Sequence, residues 1–313
     1  GVTALRFPKP LFPGARVALL SASGIVRAER LPQAADAVRS LGLEPVIYPS
    51  CRYENRHGYL AAGDRQRADD LNAAFADPSI DGILAIKGGY GAHRVLPLLD
   101  WDVIRANPKY FSGYSDVTAL HTALNQVCGL VTYHTMMPAT EYYEDVGEYS
   151  MDWLKRALFG GLQGRLENPE GQRLTTLVPG RAQGPLCGGN LSLLAASLGT
   201  PWEIDTRGKL LFLEDVDEHT YRVDGMLTQL RNAGKFDQCA GVILGAWTNC
   251  TPQVEEHNLE LPEIFRELIA PAGKPAVMGL ACGHVIPTLS LPLGAQAALD
   301  AGEGVLEVPD DPR

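Results

Sequence analysis

Short apolar runs alternate with amphipathic stretches through the first half of the chain. The runs are ARVALLSAS (15 to 23), EPVIYP (44 to 49), GILAI (82 to 86), KYFSGY (109 to 114) and LVTYH (130 to 134). Each has the length and the β-branched or aromatic content of a strand. Helical patterns fall between them, near 31 to 42, 64 to 76, 91 to 99 and 116 to 126. Strands separated by helices long enough for right-handed crossovers predict a parallel sheet covered on both faces.

The rhythm breaks over 139 to 179, where an acidic, tyrosine-rich run (EYYEDVGEYS) precedes a short amphipathic helix around MDWLKRALFGG and a polar segment with proline and glycine. This stretch reads as an interdomain connection. The second half resumes with LLFLED (210 to 215), a helix from about 220 to 233, GVILGAW (241 to 247), a helix near 262 to 269, AVMGL (276 to 280) and the closing runs AQAALD and GVLEV. Within the first of these helices Val223, Met226, Leu227 and Leu230 follow the spacing of one buried stripe. The expected fold is α/β: an N-terminal doubly wound, flavodoxin-like parallel-sheet domain over 1–138, the connection over 139–179, and a smaller C-terminal α/β domain over 180–313. A chain of 313 residues is long enough for two domains of ordinary size.

Charge and cysteine usage narrow the function classes. A formal net charge of −10 disfavours binding to a phosphate backbone, which needs clustered lysine and arginine, so no nucleic-acid partner is expected. No window approaches the roughly 18 apolar residues of a membrane helix, and the start of the sequence lacks the apolar core of a signal peptide. No membrane association is expected, and a cytoplasmic location is. The six cysteines contain no CxxC pair, so they read as reduced, buried thiols and not as a zinc site or a disulfide framework. No metal is expected.

Two glycine turns and one serine carry the candidate chemistry. KGGYGAHR (87 to 94) follows a strand and opens a helix, but its spacing fits neither the dinucleotide nor the P-loop fingerprint. It remains a tight turn whose exposed N–H groups suit an anion or an oxyanion, or a turn of purely structural use. In FSGYSDVTAL a strand ends at Gly113 and a helical pattern starts just after Ser115. That is the order of a nucleophile elbow, with the N–H of Asp116 as one oxyanion donor, and equally the order of a plain serine helix cap. A serine nucleophile needs a base oriented by an acid. His284, in CGHVIPT, is the best placed histidine, and His134, ending a strand, is second. Glu214 closes the apolar run LLFLED, and Asp215, Asp217 and Glu218 follow it, readable also as a solvated acidic turn before a helix. Asn190 in CGGNLSLL is a helix cap or a ligand-binding amide.

In their order along the chain, YLAAGDRQRADDLNAAFAD, GILAIKGGYGAHRVLPLLD, FSGYSDVTAL, CGGNLSLLAASLGTPWE, LLFLEDVDEHTYRVDGMLTQL, GVILGAWTNC and CGHVIPTLSLPLG resemble the LD-carboxypeptidase family of serine peptidases. That family includes muramoyltetrapeptide carboxypeptidases and microcin C immunity hydrolases. The resemblance implies a Ser115, Glu214, His284 triad assembled at the domain interface, with Asp116 and Gly89 giving the oxyanion donors. It also implies that Asn190 holds the substrate's terminal carboxylate. No cofactor is implied. The implied substrate is a cytoplasmic murein tetrapeptide that loses its C-terminal D-alanine in peptidoglycan recycling, and the implied assembly is a homodimer. Glu218 suits the free ammonium of a diaminopimelate or lysine side chain. Lys87 in place of the usual arginine, HTMM (134 to 137) and CGHVIPT depart from the family's common motifs and leave the substrate open. A microcin-type hydrolase of an aminoacyl-nucleotide, and a two-domain binding protein that cuts nothing, are the alternatives.

Overall fold

The computed structural model describes residues 5–309, which form two compact units. The first is Arg6–Gly161 with Ser290–Pro292; the second comprises Leu5, 162–289 and 293–309 of the described residues. The stretch 139–179 therefore divides between them. Its helix Gly147–Phe159, buried along one face at Ser150, Trp153, Leu154, Ala157 and Leu158, belongs to the first unit.

In the first unit, numbering strands in chain order, β1 (Arg16–Leu20), β2 (Glu44–Ile47), β3 (Gly82–Ala85), β4 (Tyr110–Gly113), β5 (Thr132–His134) and β12 (Leu291–Leu293) make one sheet in the order β12-β5-β4-β3-β1-β2. The pairs among β1 to β5 are all parallel. The 2-1-3-4-5 order is the flavodoxin-like one, in which strand order reverses between β1 and β3 and leaves a crevice at their carboxyl ends. β3 is buried along its whole length and β1 after its first residue, as expected of central parallel strands covered on both faces. Helices Arg30–Ser40, Asp64–Ala76, Ala92–Val95, Trp101–Ala106 and Thr118–Cys128 lie between the strands. The fourth of these is additional to the sequence expectation; Asp100 caps it by accepting from the Val103 N–H at 3.2 Å.

The second unit holds β6 (Gly164–Arg165), β7 (Thr175–Val178), β8 (Arg181–Asn190), β9 (Leu210–Val216), β10 (Gly241–Thr248), β11 (Ala276–Met278), β13 (Gln296–Asp300) and β14 (Val305–Val308), ordered β6-β14-β13-β8-β9-β10-β11-β7. β8 to β11 are parallel to their neighbours in that run, and antiparallel strands flank them on both sides. Its core joins Leu211, Leu213 and Leu244 of the sheet to Val223, Leu227 and Leu230 of the helix Thr220–Asn232, with Met226 partly buried against them. The stripe read from the sequence is thus this helix's core face.

Candidate active site

Ser115 follows β4 by way of Tyr114 and starts a short 3₁₀ turn, Ser115–Val117, that leads into the helix Thr118–Cys128. Its φ is 69°, a left-handed conformation that a non-glycine residue adopts only at a cost. A plain N-cap has extended backbone, so the turn is built as a sharp elbow. Gly88 sits against it: a Cβ there would lie 3.1 Å from Ser115 Cβ, 3.2 Å from its Oγ and 3.7 Å from the Asp116 backbone nitrogen. The GGYG turn and the Asp116 N–H therefore flank the serine hydroxyl, which is partly exposed. Gly89, next in that turn, is exposed.

Several buried polar groups fix this elbow. The Asp116 carboxylate accepts from Ser23 Oγ at 2.6 Å and from the Ala92 N–H at 2.9 Å, tying the loop after β1 and the end of the GGYG turn to the serine. Burial pushes its pKa up, against the lowering effect of those two donors. Arg67, fully buried, donates to the carbonyls of Ala62, Ala22 and Gly91 at 2.9, 2.5 and 2.8 Å and pairs with Asp64. His121 Nε2 donates to the Gly113 carbonyl at 2.8 Å, so its Nδ1 accepts from Thr132 Oγ1 at 2.7 Å. Burial lowers its pKa to about 4, keeping it neutral. Tyr114 donates to Glu141, whose other oxygen accepts from the Met137 N–H at 2.9 Å. Glu141, within the run that reads as a connection, is a buried support of the elbow. His134 is buried too, its ring 5.6 Å from that of Tyr114.

In the second unit Glu214 ends the apolar part of β9 with no solvent exposure, and its Oε2 stands 2.8 Å from His284 Nδ1. An ionised carboxylate can only accept, so in this contact the imidazole carries its proton on Nδ1, and in the neutral ring Nε2 holds the lone pair. Gly283 permits the approach: a Cβ there would lie 3.0 Å from Glu214 Oε2, and its φ of 133° suits glycine. The register β8 to β9 sets Asn190 beside Glu214. Its amide nitrogen donates to Glu214 Oε1 at 3.3 Å and to Asp215 Oδ1 at 3.1 Å, while its oxygen caps the next helix through the Leu193 N–H at 3.3 Å. Both ends of the buried amide are used within the unit, beside two carboxylates that would repel an anion. Asp215 also accepts from Ser192 N and Oγ at 3.0 and 2.6 Å. Glu218 lies at the turn after β9, 3.9 Å from Arg222.

Of the residues singled out from the sequence, Asn190, Glu214 and His284 come together in the second unit and Ser115 stands on the elbow of the first, while Ser23, Arg67, His121, Glu141 and the contacts of Asp215 are not among those singled out. All six cysteines are buried, and burial raises every one of their thiol pKa values, which disfavours the reactive thiolate form. Among the described residues no cluster of three His, Cys, Asp or Glu is placed to hold a metal, and no helix is long and apolar enough to cross a membrane.

A strained serine elbow flanked by backbone donors, and a histidine oriented by a buried carboxylate, are the parts with which acyl-transfer hydrolases work. Comparison with known proteins is specific about which. A family model described as the LD-carboxypeptidase N-terminal domain matches residues 17–135, and one described as the LD-carboxypeptidase C-terminal domain matches residues 183–299. A probable murein peptide carboxypeptidase of Bacillus subtilis is 41% identical over 307 residues, covering 97% of this chain and 94% of that protein. A murein tetrapeptide carboxypeptidase of Pseudomonas aeruginosa is 30% identical over 291 residues, covering 91% and 93%. The crystal structure of an MccF-like protein from Bacillus anthracis superposes with a TM-score of 0.84 at 25% identity, covering 98% of this chain and 100% of that one. The chain belongs to the LD-carboxypeptidase family.

Proposed function

We propose that this protein is a serine carboxypeptidase that cleaves an L,D peptide bond and releases the C-terminal D-alanine of a murein tetrapeptide. The observation that carries the reading is the 2.8 Å contact of His284 Nδ1 with the fully buried Glu214. It puts the imidazole proton on Nδ1 and so makes Nε2 the basic nitrogen. Ser115 Oγ attacks the carbonyl joining an L-centre residue to the terminal D-residue as His284 takes its proton. The N–H groups of Asp116 and Gly89 receive the oxyanion. Collapse of the tetrahedral intermediate breaks the C–N bond, and His284 returns the proton to the departing amine. Water, deprotonated by the same histidine, then hydrolyses the Ser115 ester. Glu214 holds the imidazole tautomer and offsets its charge, and Asn190 and Asp215 hold Glu214. The mechanism requires Ser115 and His284, which belong to different units, to come within hydrogen-bond reach. Glu218 is assigned the ammonium of the residue preceding D-alanine, and the setting is cytoplasmic peptidoglycan recycling.

The test is product analysis of a murein tetrapeptide incubated with wild type and with Ser115→Ala. One D-alanine per peptide, released by wild type alone, supports the assignment; equal release by both removes Ser115 from the chemistry. The likeness to an MccF-like structure favours one second reading, hydrolysis of an aminoacyl-nucleotide amide, which side-by-side turnover of the two substrates separates.

A further inference from the structure

The crevice where strand order reverses, at the carboxyl ends of β1 and β3, has a volume of about 680 Å³ and is lined by Gly24, Arg27, Lys87, Gly89, Tyr59 and Tyr90 among others. Pockets of open α/β sheets form at this point. Its chemistry is cationic. Lys87 is half-buried, and Arg30 and Arg27 are the charges that bear on it; together with burial, which acts most strongly, they lower its pKa. Among the described residues no carboxylate is paired with it. The other nearby cations are committed: Arg67 to three carbonyls and Asp64, and Arg94 to Asp64 at 3.0 Å. A half-buried lysine facing two arginines is an unfavourable arrangement that a bound anion would relieve.

Lys87 is also close to the serine. A Cβ on Gly24 would lie 3.4 Å from Lys87 Nζ and 3.0 Å from the Gly88 carbonyl oxygen, and Gly88 is the residue packed on Ser115. In a substrate cut next to its terminal residue, only the leaving nitrogen and one α-carbon separate the scissile carbonyl carbon from the free carboxylate. The anchoring cation must therefore sit about one residue from the nucleophile. Asn190 offers no such cation.

We propose that Lys87 receives the free carboxylate of the residue to be released, with the crevice beside Ser115 as the leaving-residue subsite. The inference rests on the carboxypeptidase reading above. It makes Lys87 a specificity residue and explains how one exposed chain end is told from an internal peptide bond.

The test compares kcat/KM on a peptide ending in D-alanine as free acid and as carboxamide, for wild type, Lys87→Met and Lys87→Arg. Wild type should prefer the acid by about 10- to 100-fold, the worth of a charge-assisted hydrogen bond. Lys87→Met should lose that preference, mainly through a raised KM for the acid, and Lys87→Arg should restore most of it. A preference kept by Lys87→Met, or an equal fall on both peptides, overturns the proposal. Titrating both peptides into Ser115→Ala, with and without Lys87→Met, reads the contact without turnover. Failure of wild type to cleave either peptide then counts against the function, while the binding difference still decides the contact.

Discussion

Glu214 and His284 meet at 2.8 Å beside the space that Gly283 leaves empty, so the carboxylate and the imidazole are positioned by a missing side chain as much as by those present. Glu214→Gln keeps shape and burial but cannot hold the tautomer or offset the imidazolium charge. Its kcat/KM should fall by roughly 10²- to 10⁴-fold. Gly283→Ala should also lower kcat, because the added methyl displaces the Glu214 carboxylate. Steady-state kinetics on both variants, with thermal melts to confirm folding, would check this; unchanged kcat in Glu214→Gln removes the acid from the mechanism.

The φ of 69° at Ser115 predicts a trade between stability and activity. Glycine relieves the left-handed strain and alanine does not, so Ser115→Gly should be more stable than Ser115→Ala by about 1 kcal/mol, with both inactive. Urea unfolding measures the difference. Equal stabilities would mean the elbow stores no strain.

Arg67 fastens the loops that bound the elbow. Arg67→Met strips the Ala62, Ala22 and Gly91 carbonyls of their donor and Asp64 of one ion pair, so unfolding free energy should drop by about 3–5 kcal/mol. A loss below about 1 kcal/mol would show that the loops are held otherwise.

His121 gives a defined acid dependence. Its folded-state pKa of about 4 lies below the ordinary 6.5, so between these values the unfolded chain takes up a proton that the folded protein does not. The His121 contribution is intact above pH 6.5 and is lost as pH falls toward 4, by an amount on the order of 3 kcal/mol. Urea midpoints against pH should fall more steeply over this window in wild type than in His121→Gln. Parallel profiles would place the acid sensitivity elsewhere.

Much of this architecture is legible in the sequence because the apolar runs of the first unit are bounded by turn residues and spaced by helices; GILAI and KYFSGY fall on β3 and β4. β8 is hidden because Gly184, Pro185, Gly188 and Gly189 imitate a turn. The glycine at 188 answers to packing: a Cβ there would sit 2.0 Å from the Phe212 carbonyl oxygen of β9, a constraint no local pattern records. In the candidate site, the residues proposed for the chemistry are readable from motif order, yet the groups that hold them are not. Ser23 meets Asp116 across 93 positions and Arg67 meets Ala22 across 45, so only the fold reveals them. Glu141 looks like a linker charge until Tyr114 is seen to donate to it.

The central claim is that Ser115 is a nucleophile activated by His284. Treating wild type and His284→Ala with a fluorophosphonate and mapping the adduct by peptide mass spectrometry tests it most directly. Wild type should give a single adduct on Ser115, its formation slowed by at least about 10²-fold in His284→Ala. No adduct on Ser115, or labelling at the same rate without His284, would contradict it.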